Sequence, residues 1–289
     1  MTEESPEKRV QAAVGAVGEI IKVAKESPEA REAGTLAAKS LVIIADTLHT
    51  VLLPLAAANY GAKKFAEYMK NRFGPELTEK TQHIPPEYVV APRATVAGPT
   101  LDALVYAHEE DALRDLYLEL LATAMDERAA TAAHPAFVEI LKQIDPPEIR
   151  LLRIILQGSQ NQPIAEIRRK AASSGYSVLE THVLGWQNEG EPVEVPMGVA
   201  YVDNWARLGL VEISYDRQIA QEEAYEWVQG RPEYLRHAGD HYDSDIQIAP
   251  GVIMVTGWGG AFATAVGMSR SPVQVIEPSQ GVAPDELSS

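Results

Sequence analysis

The chain has 289 residues, 46% of them hydrophobic, which is enough for a packed core and for two domains. Its formal net charge of −16 opposes binding to nucleic-acid phosphate or to anionic lipid, except through a local basic patch. It contains no cysteine, so disulfides and thiolate chemistry are excluded.

Residues 1–8 are polar and read as a flexible start without the basic and apolar regions of a signal peptide, so a cytoplasmic protein is expected. A helical pattern runs from Arg9 to Lys25, and Ser27-Pro28 offers an N-cap and first-turn proline for another helix. Residues 35–73 are nearly continuous in helical character, interrupted at Pro54 and closed by Gly74-Pro75. Within them Leu41 to Ala58, LVIIADTLHTVLLPLAAA, is about as long as a membrane span requires. It holds Asp46, His49 and Pro54, and a central Asp costs roughly 2.5–3.5 kcal/mol on insertion scales. A buried core helix is therefore the first reading. The alternative is a helix that leaves the core on activation and enters a membrane, with Asp46 and His49 lining a polar pore.

HIPPEYVVAPRATVAGPT predicts short helical turns joined by proline corners at Pro85, Pro86, Pro92 and Pro99. LDALVYAHEEDALRDLYLELLATAMD gives two helices broken near His108 to Asp111, a carboxylate-rich helix start. Leu113, Leu116, Tyr117, Leu120, Leu121 and Ala124 form the apolar stripe of the second. After the linker ERAATAA, His134 takes the N-cap place and Pro135 the first turn of a helix whose apolar face is Phe137, Ile140, Leu141 and Ile144. Asp145 then caps the next helix, with Pro146 at N1 and Glu148 at the N3 position of a capping box. This joint fixes an angle between helices, and His134 is read as structural.

Ile149 to Leu156 is helical and GSQNQP a turn, followed by a second helix from Ile164 to Ala172. Residues 175–200 read as irregular. VDNWARLGLVEISY gives a helix ending at Gly209 and a strand from Leu210; IQIAPGVIMVT is a second strand, GWGGAFATAV a closing helix. Three helices, a strand pair around a long wing and a last helix make a winged-helix-like domain. The Pro-rich tail, 268–289, is expected to be disordered.

His237, Asp240, His241, Asp243 and Asp245 are the only candidates for a metal site, and Gly239 among them favours a solvated loop. Arg168, Arg169 and Lys170 are the best basic cluster, yet Glu212 to Asp245 holds nine acidic residues and three arginines. A DNA-reading wing should be basic, so nucleic-acid binding is disfavoured. No nucleophile elbow, phosphate loop or dinucleotide fingerprint is present, and no catalytic residue, cofactor or small-molecule substrate is assigned. Gly257, Gly259 and Gly260 of GWGGAF are read as permitting a tight strand-to-helix approach.

Four stretches in order, EEDALRDLYLELLATAMD, HPAFVEILKQIDPPEIRLL, LGLVEI and VTGWGGAF, resemble the abortive infection alpha (Abi-alpha) family over about residues 15–266. The matching positions are Leu120, Leu121, Asp126, His134, Pro135, Phe137, Ile140, Leu141, Leu208, Gly209, Leu210, Thr256, Gly259 and Phe262. Asp145 and Pro146 of the joint stand with them as structural motif positions. Tyr117 stands where the family often has tryptophan, and residues 175–200 look like an insertion. The resemblance implies a bacterial role in phage defence by abortive infection and supplies no active site. We therefore expect a mainly α protein: an α-helical bundle, 9–148, then a winged-helix-like α+β domain with a small β-hairpin, 149–267. Its role is non-enzymatic, through a protein partner or self-association, with membrane association on activation as the alternative route. The alternatives are an interaction scaffold or the neutralising partner of a basic toxin and, behind these, a DNA-binding regulator.

Overall fold

The computed structural model describes residues 62–172, 174–238 and 245–269. The run from Leu41 to Ala58, with Asp46 and His49, lies outside the described residues, as do Asp240, His241 and Asp243 and the tail from 270. Among the described residues no helix is long and apolar enough to cross a membrane. The described residues divide into two compact units, one of residues 62–142 with 265–267 and the other of 143–264 with 268–269.

The first unit is helical: α1 (Ala62–Tyr68), α2 (Gly74–Thr81), α3 (Ala94–Ala107), α4 (Asp111–Met125) and α5 (Pro135–Leu141). Gly74-Pro75 does not close the first helical stretch as expected. The chain widens into a π-helix over Met69–Phe73 and continues into α2. Pro75 lacks an N–H and its ring crowds the carbonyl one turn back; a wider turn relieves both faults without ending the helix. Pro99 likewise sits inside α3, where a corner was expected. The core is built on α4, whose Leu116, Tyr117, Leu120, Leu121 and Ala124 are buried as the stripe predicts. The break between α3 and α4 is where it was expected, and Arg114 crosses it to donate to the His108 carbonyl at 2.8 Å.

The second unit is α+β, in chain order α6 (Pro146–Gln157), β1 (Asn161–Lys170), β2 (Tyr176–Val183), β3 (Gln187–Asn188), β4 (Glu191–Pro192), α7 (Gly198–Arg207), β5 (Val211–Ser214), a 3-10 helix (Glu222–Gly230), α8 (Pro232–Ala238), β6 (Ile246–Val255) and α9 (Gly257–Ala265). Four strands form an antiparallel sheet in the order β2-β1-β6-β5, so a single small hairpin is an underestimate. The expected helix over Ile164 to Ala172 is strand β1. Ile164 and Ile167 fit a helical spacing, but β1 is an inner strand laddered on both sides, and that tertiary pairing decides. The supposed irregular stretch 175–200 contains β2, the β3–β4 hairpin and the first turn of α7.

On one face of the sheet Ala165, Ile167 and Ile246 pack with Val228, Tyr234 and Ala238 from the 3-10 helix and α8. Arg231, only 1% exposed, secures the base of the β3–β4 hairpin. Its guanidinium donates to the carbonyls of Trp186 and Val193 and forms a two-pronged pair with Glu233, so this buried charge is both paired and hydrogen-bonded. The hairpin turns through Glu189 (φ +51°) and Gly190 (φ +88°), a two-residue turn needing left-handed backbone twice. Glutamate is the wrong residue there. Glu189→Asn should raise stability by about 0.5–1 kcal/mol, because asparagine tolerates that conformation. Urea unfolding measures this, and a lower midpoint would show that Glu189 has a role the turn alone does not reveal.

Candidate functional site

The opposite face of the sheet carries the clearest constellation of polar groups in the second unit. Residues directly opposite in an antiparallel pair share a face. The register sets Lys170 against Tyr176, Arg168 against Val178 and Gln247, Glu166 against Ala249, and Ile164 against Gly251. A Cβ on Gly251 would lie 2.5 Å from the Tyr215 ring, so the missing side chain lets that ring lie flat on this face.

Tyr215 follows β5 directly and meets β2 where β2 is irregular. Ala165 and Ile167 on β1 face Val183 and Glu180, so three residue steps on β2 oppose two on β1. The extra residue makes a β-bulge, a device that re-aims side chains. Within it His182 has φ +53°, a left-handed conformation that is uncommon for a non-glycine residue. The His182 ring is thereby stacked beside Tyr215, 6.1 Å between centroids and 13° between planes. Nδ1 lies 3.0 Å from the Tyr215 hydroxyl and Nε2 lies 3.1 Å from Asp203 Oδ1 on α7.

The proton positions follow from these partners. Burial pushes the Tyr215 phenol above its ordinary value, against the hydrogen bonds from Thr181 and the His182 N–H that lower it. It therefore keeps its proton at neutral pH and donates to Nδ1, which leaves Nε2–H to donate to the Asp203 carboxylate. The chain Tyr215–His182–Asp203 thus joins a half-buried phenol to an exposed carboxylate through one imidazole. Its phenol is a poor nucleophile for the same reason that it stays protonated. The arrangement holds the bulge and fixes the approach of β2 to α7. His182→Ala should cost about 1–2 kcal/mol, and His182→Gly about 1 kcal/mol less, since glycine relieves the left-handed backbone while losing the same hydrogen bonds. Equal unfolding midpoints for the two variants would mean that the bulge relaxes when the ring is gone.

Towards the hairpin tip the same face becomes cationic and apolar. The Arg168 guanidinium pairs with Glu166 and lies 4.0 Å from the centroid of the Tyr176 ring. Tyr176 and Val178 are 53% and 48% exposed. Lys170 on this face and Arg169, set against Ser177 and Ile246 on the other, are both exposed, and neither makes an ion pair among the described residues. The basic cluster read from the sequence is thus a surface feature on a strand, with an aromatic ring beside it.

The other expected positions have structural surroundings. His134 caps α5, its Nδ1 accepting the Ala136 N–H at 3.1 Å, and Pro135, Phe137, Ile140 and Leu141 build that short helix. Asp126 is buried beyond α4; burial works to raise its carboxyl, but the hydrogen bonds from Arg128 outweigh this and hold it below the ordinary value. Asp145 and Pro146 open α6, and Glu148 closes the capping box by accepting the Asp145 N–H at 2.6 Å. Leu208 ends α7, Gly209 turns with φ +73°, and Leu210 and Phe262 are fully buried. Thr256 caps α9 by accepting the Gly259 N–H at 2.8 Å while donating to the Gly209 carbonyl.

Of the metal candidates, His237 stands on α8 with Nε2 2.7 Å from Glu180, a carboxylate shared with Arg236. The Asp245 carbonyl accepts the Lys170 N–H. Among the described residues no three His, Asp or Glu side chains converge as metal ligands.

His182, Asp203 and Tyr215 were not singled out by sequence reasoning. The available signal was GYSVLETHV: a β-branched and aromatic run directly after Ser-Ser-Gly, which is the pattern of a strand leaving a turn. Comparison with curated proteins and with solved structures gives no match. The family model for abortive infection alpha matches residues 63–266, well over half of the chain and spanning α2 to α9, so the chain belongs to the abortive infection alpha family.

Proposed function

We propose that this chain is a bacterial phage-defence protein of the abortive-infection type, acting by contact with another protein and not by a reaction of its own. Membership of the abortive infection alpha family over residues 63–266 is the observation that carries this reading. The clearest polar constellation supports contact over chemistry, since its phenol is held protonated and its histidine is spent on holding a bulge. We read the second unit as winged-helix-like, because β1, β6 and β5 lie side by side and the β5–β6 connection has the length of an elaborate wing. The first unit we read as a helical bundle. A cytoplasmic site of action is the corresponding proposal, and nucleic acid is not the expected partner.

Phage challenge of cells with and without the gene, followed with a membrane-potential dye, tests the reading. Cells carrying the gene should release fewer progeny and die or arrest early; equal phage yield would overturn it. The membrane form of the proposal has the run from Leu41 to Ala58 inserting on activation, with Asp46 and His49 in a polar path. It predicts dye release from liposomes by the triggered protein, and intact liposomes under infection-derived triggers would remove it. The net charge of −16 favours one second reading, a neutralising partner of a basic toxin. In that case overexpression is harmless and a basic protein co-purifies.

A further inference from the structure

We propose that the free edge of β2, together with the basic end of the β1–β2 hairpin, receives an extended acidic segment of a partner protein as a fifth strand of the sheet. This rests on the protein-contact reading above and names the partner's chemistry.

Three observations carry it. First, β2 is an edge strand, so on its outer side alternate backbone N–H and C=O groups have no strand partner. Proteins guard such edges with bulges, prolines, inward charges or a covering element. The far half of β2 is guarded in this way, by its bulges and by the His182–Asp203 tie to α7. The near half is not. Tyr176, Ser177 and Val178 pair with Lys170, Arg169 and Arg168 in unbroken register, and Tyr176 and Val178 are about half exposed.

Second, this unguarded stretch has side chains suited to an incoming strand. Tyr176 and Val178 point to one face, as an aromatic and a β-branched residue that can pack against cross-strand neighbours. Third, the charge beside it is positive in a chain of net charge −16. Arg168 lies over Tyr176 and so reaches across β2 towards the edge, and the exposed Arg169 and Lys170 make no ion pair among the described residues.

The charge pattern selects among occupants. A second copy of this chain would bring two sets of the same cations together, and two strongly acidic chains. A nucleic acid presents a dense phosphate array to a protein whose overall field repels it, with only three cations to offset this. An extended peptide with a few carboxylates meets the local charge while its backbone completes the edge.

The test uses the full chain and a fluorescein-labelled peptide of sequence Glu-Val-Glu-Thr-Glu-Val-Glu-Thr, followed by anisotropy. Lysine-for-glutamate peptide and an oligothymidine strand are run beside it. The acidic peptide should bind, more weakly as salt rises. Its affinity should fall about tenfold for Arg169→Glu with Lys170→Glu, and similarly for Val178→Asp, with the melting midpoint unchanged. Amide exchange at residues 176–178 should slow when peptide is added. No binding, equal binding by the variants, preference for the lysine peptide or for oligothymidine, or unchanged exchange at those amides would overturn the proposal. If the gene protects against phage and the peptide result fails, this inference falls alone. If the gene gives no protection, the defence reading falls whatever the peptide does.

Discussion

Gly259→Ala should be among the most damaging single substitutions in the second unit, with a loss of at least about 3 kcal/mol. A Cβ at position 259 would stand 2.0 Å from the Leu210 carbonyl oxygen. That atom is backbone and also accepts the Thr256 N–H at 3.1 Å, so it cannot move aside without breaking the link between β6 and the entry to β5. The neighbouring glycines give the control. A Cβ at Gly257 or Gly260 would meet nothing within 4 Å. Alanine at either site is expected to be neutral or to stabilise by up to about 1 kcal/mol through helix propensity. Urea unfolding of the three variants checks this contrast. A Gly259→Ala protein as stable as the parent would mean that α9 does not pass this close to the chain before β5.

Glu148→Ala should cost about 3 kcal/mol. The Glu148 carboxylate is 1% exposed and accepts from the Asp145 N–H at 2.6 Å and from the Trp205 Nε1–H at 2.9 Å, with Asn204 further out at 3.4 Å. Trp205 is itself fully buried, so truncation leaves an indole donor inside the core with no acceptor, beside the loss of the helix cap. Glu148→Gln keeps the shape and one accepting oxygen and should cost roughly half as much.

The two proteins should also differ in pH dependence. Burial pushes the Glu148 carboxyl above its ordinary value, against the hydrogen bonds from Asp145, Trp205 and Asn204 that lower it. The folded state then binds this proton more tightly than the unfolded state does. The stability that follows is fully present below the unfolded value of 4.5 and is lost as pH rises through the folded one. The stability of the parent minus that of Glu148→Gln should therefore increase as pH is lowered from neutral towards 4.5. A difference that stays flat or shrinks would show that the hydrogen bonds outweigh burial.

Glu148 marks the limit of what a sequence can say. Its place in a capping box depends only on residues three apart, and Asp-Pro-Pro-Glu is legible as that signal in any context. Its bond to Trp205 joins residues 57 positions apart, and neither side of that pair carries a local pattern that names the other. Gly259 behaves in the same way. The strand-to-helix approach at GWGGAF was readable, but three glycines were equally eligible, and only the passage of Leu210 above one of them distinguishes it.

The strands show the same division. β5, β6 and α9 were recognisable because turn residues bound them and their periodicities are clean. β1 reads as a helix from its sequence, since Ile164 and Ile167 satisfy either spacing over so short a run, and its ladders to β2 and β6 come from distant sequence. The candidate site depends on that ladder twice. The face shared by Arg168, Tyr176 and Val178 exists only in this register, and the bulge that aims His182 at Tyr215 and Asp203 is a mismatch between two strands, not a property of either.

By itself the sequence determined the helical caps at His134 and Asp145, the buried stripe of α4, the β5–β6 pair, the acidic balance and the likeness to the abortive infection alpha family. All of these are written in neighbours a few residues apart or in bulk composition. Only the tertiary structure decided that β1 is a strand, that β2 is an exposed edge with cations beside it, that Gly259 is the intolerant glycine, and that a tyrosine, a histidine and an aspartate share one hydrogen-bonded chain. Each of those requires segments far apart in the chain to meet. The free energy that selects such meetings comes from burial and pairing summed over the whole fold, which no short window of sequence contains.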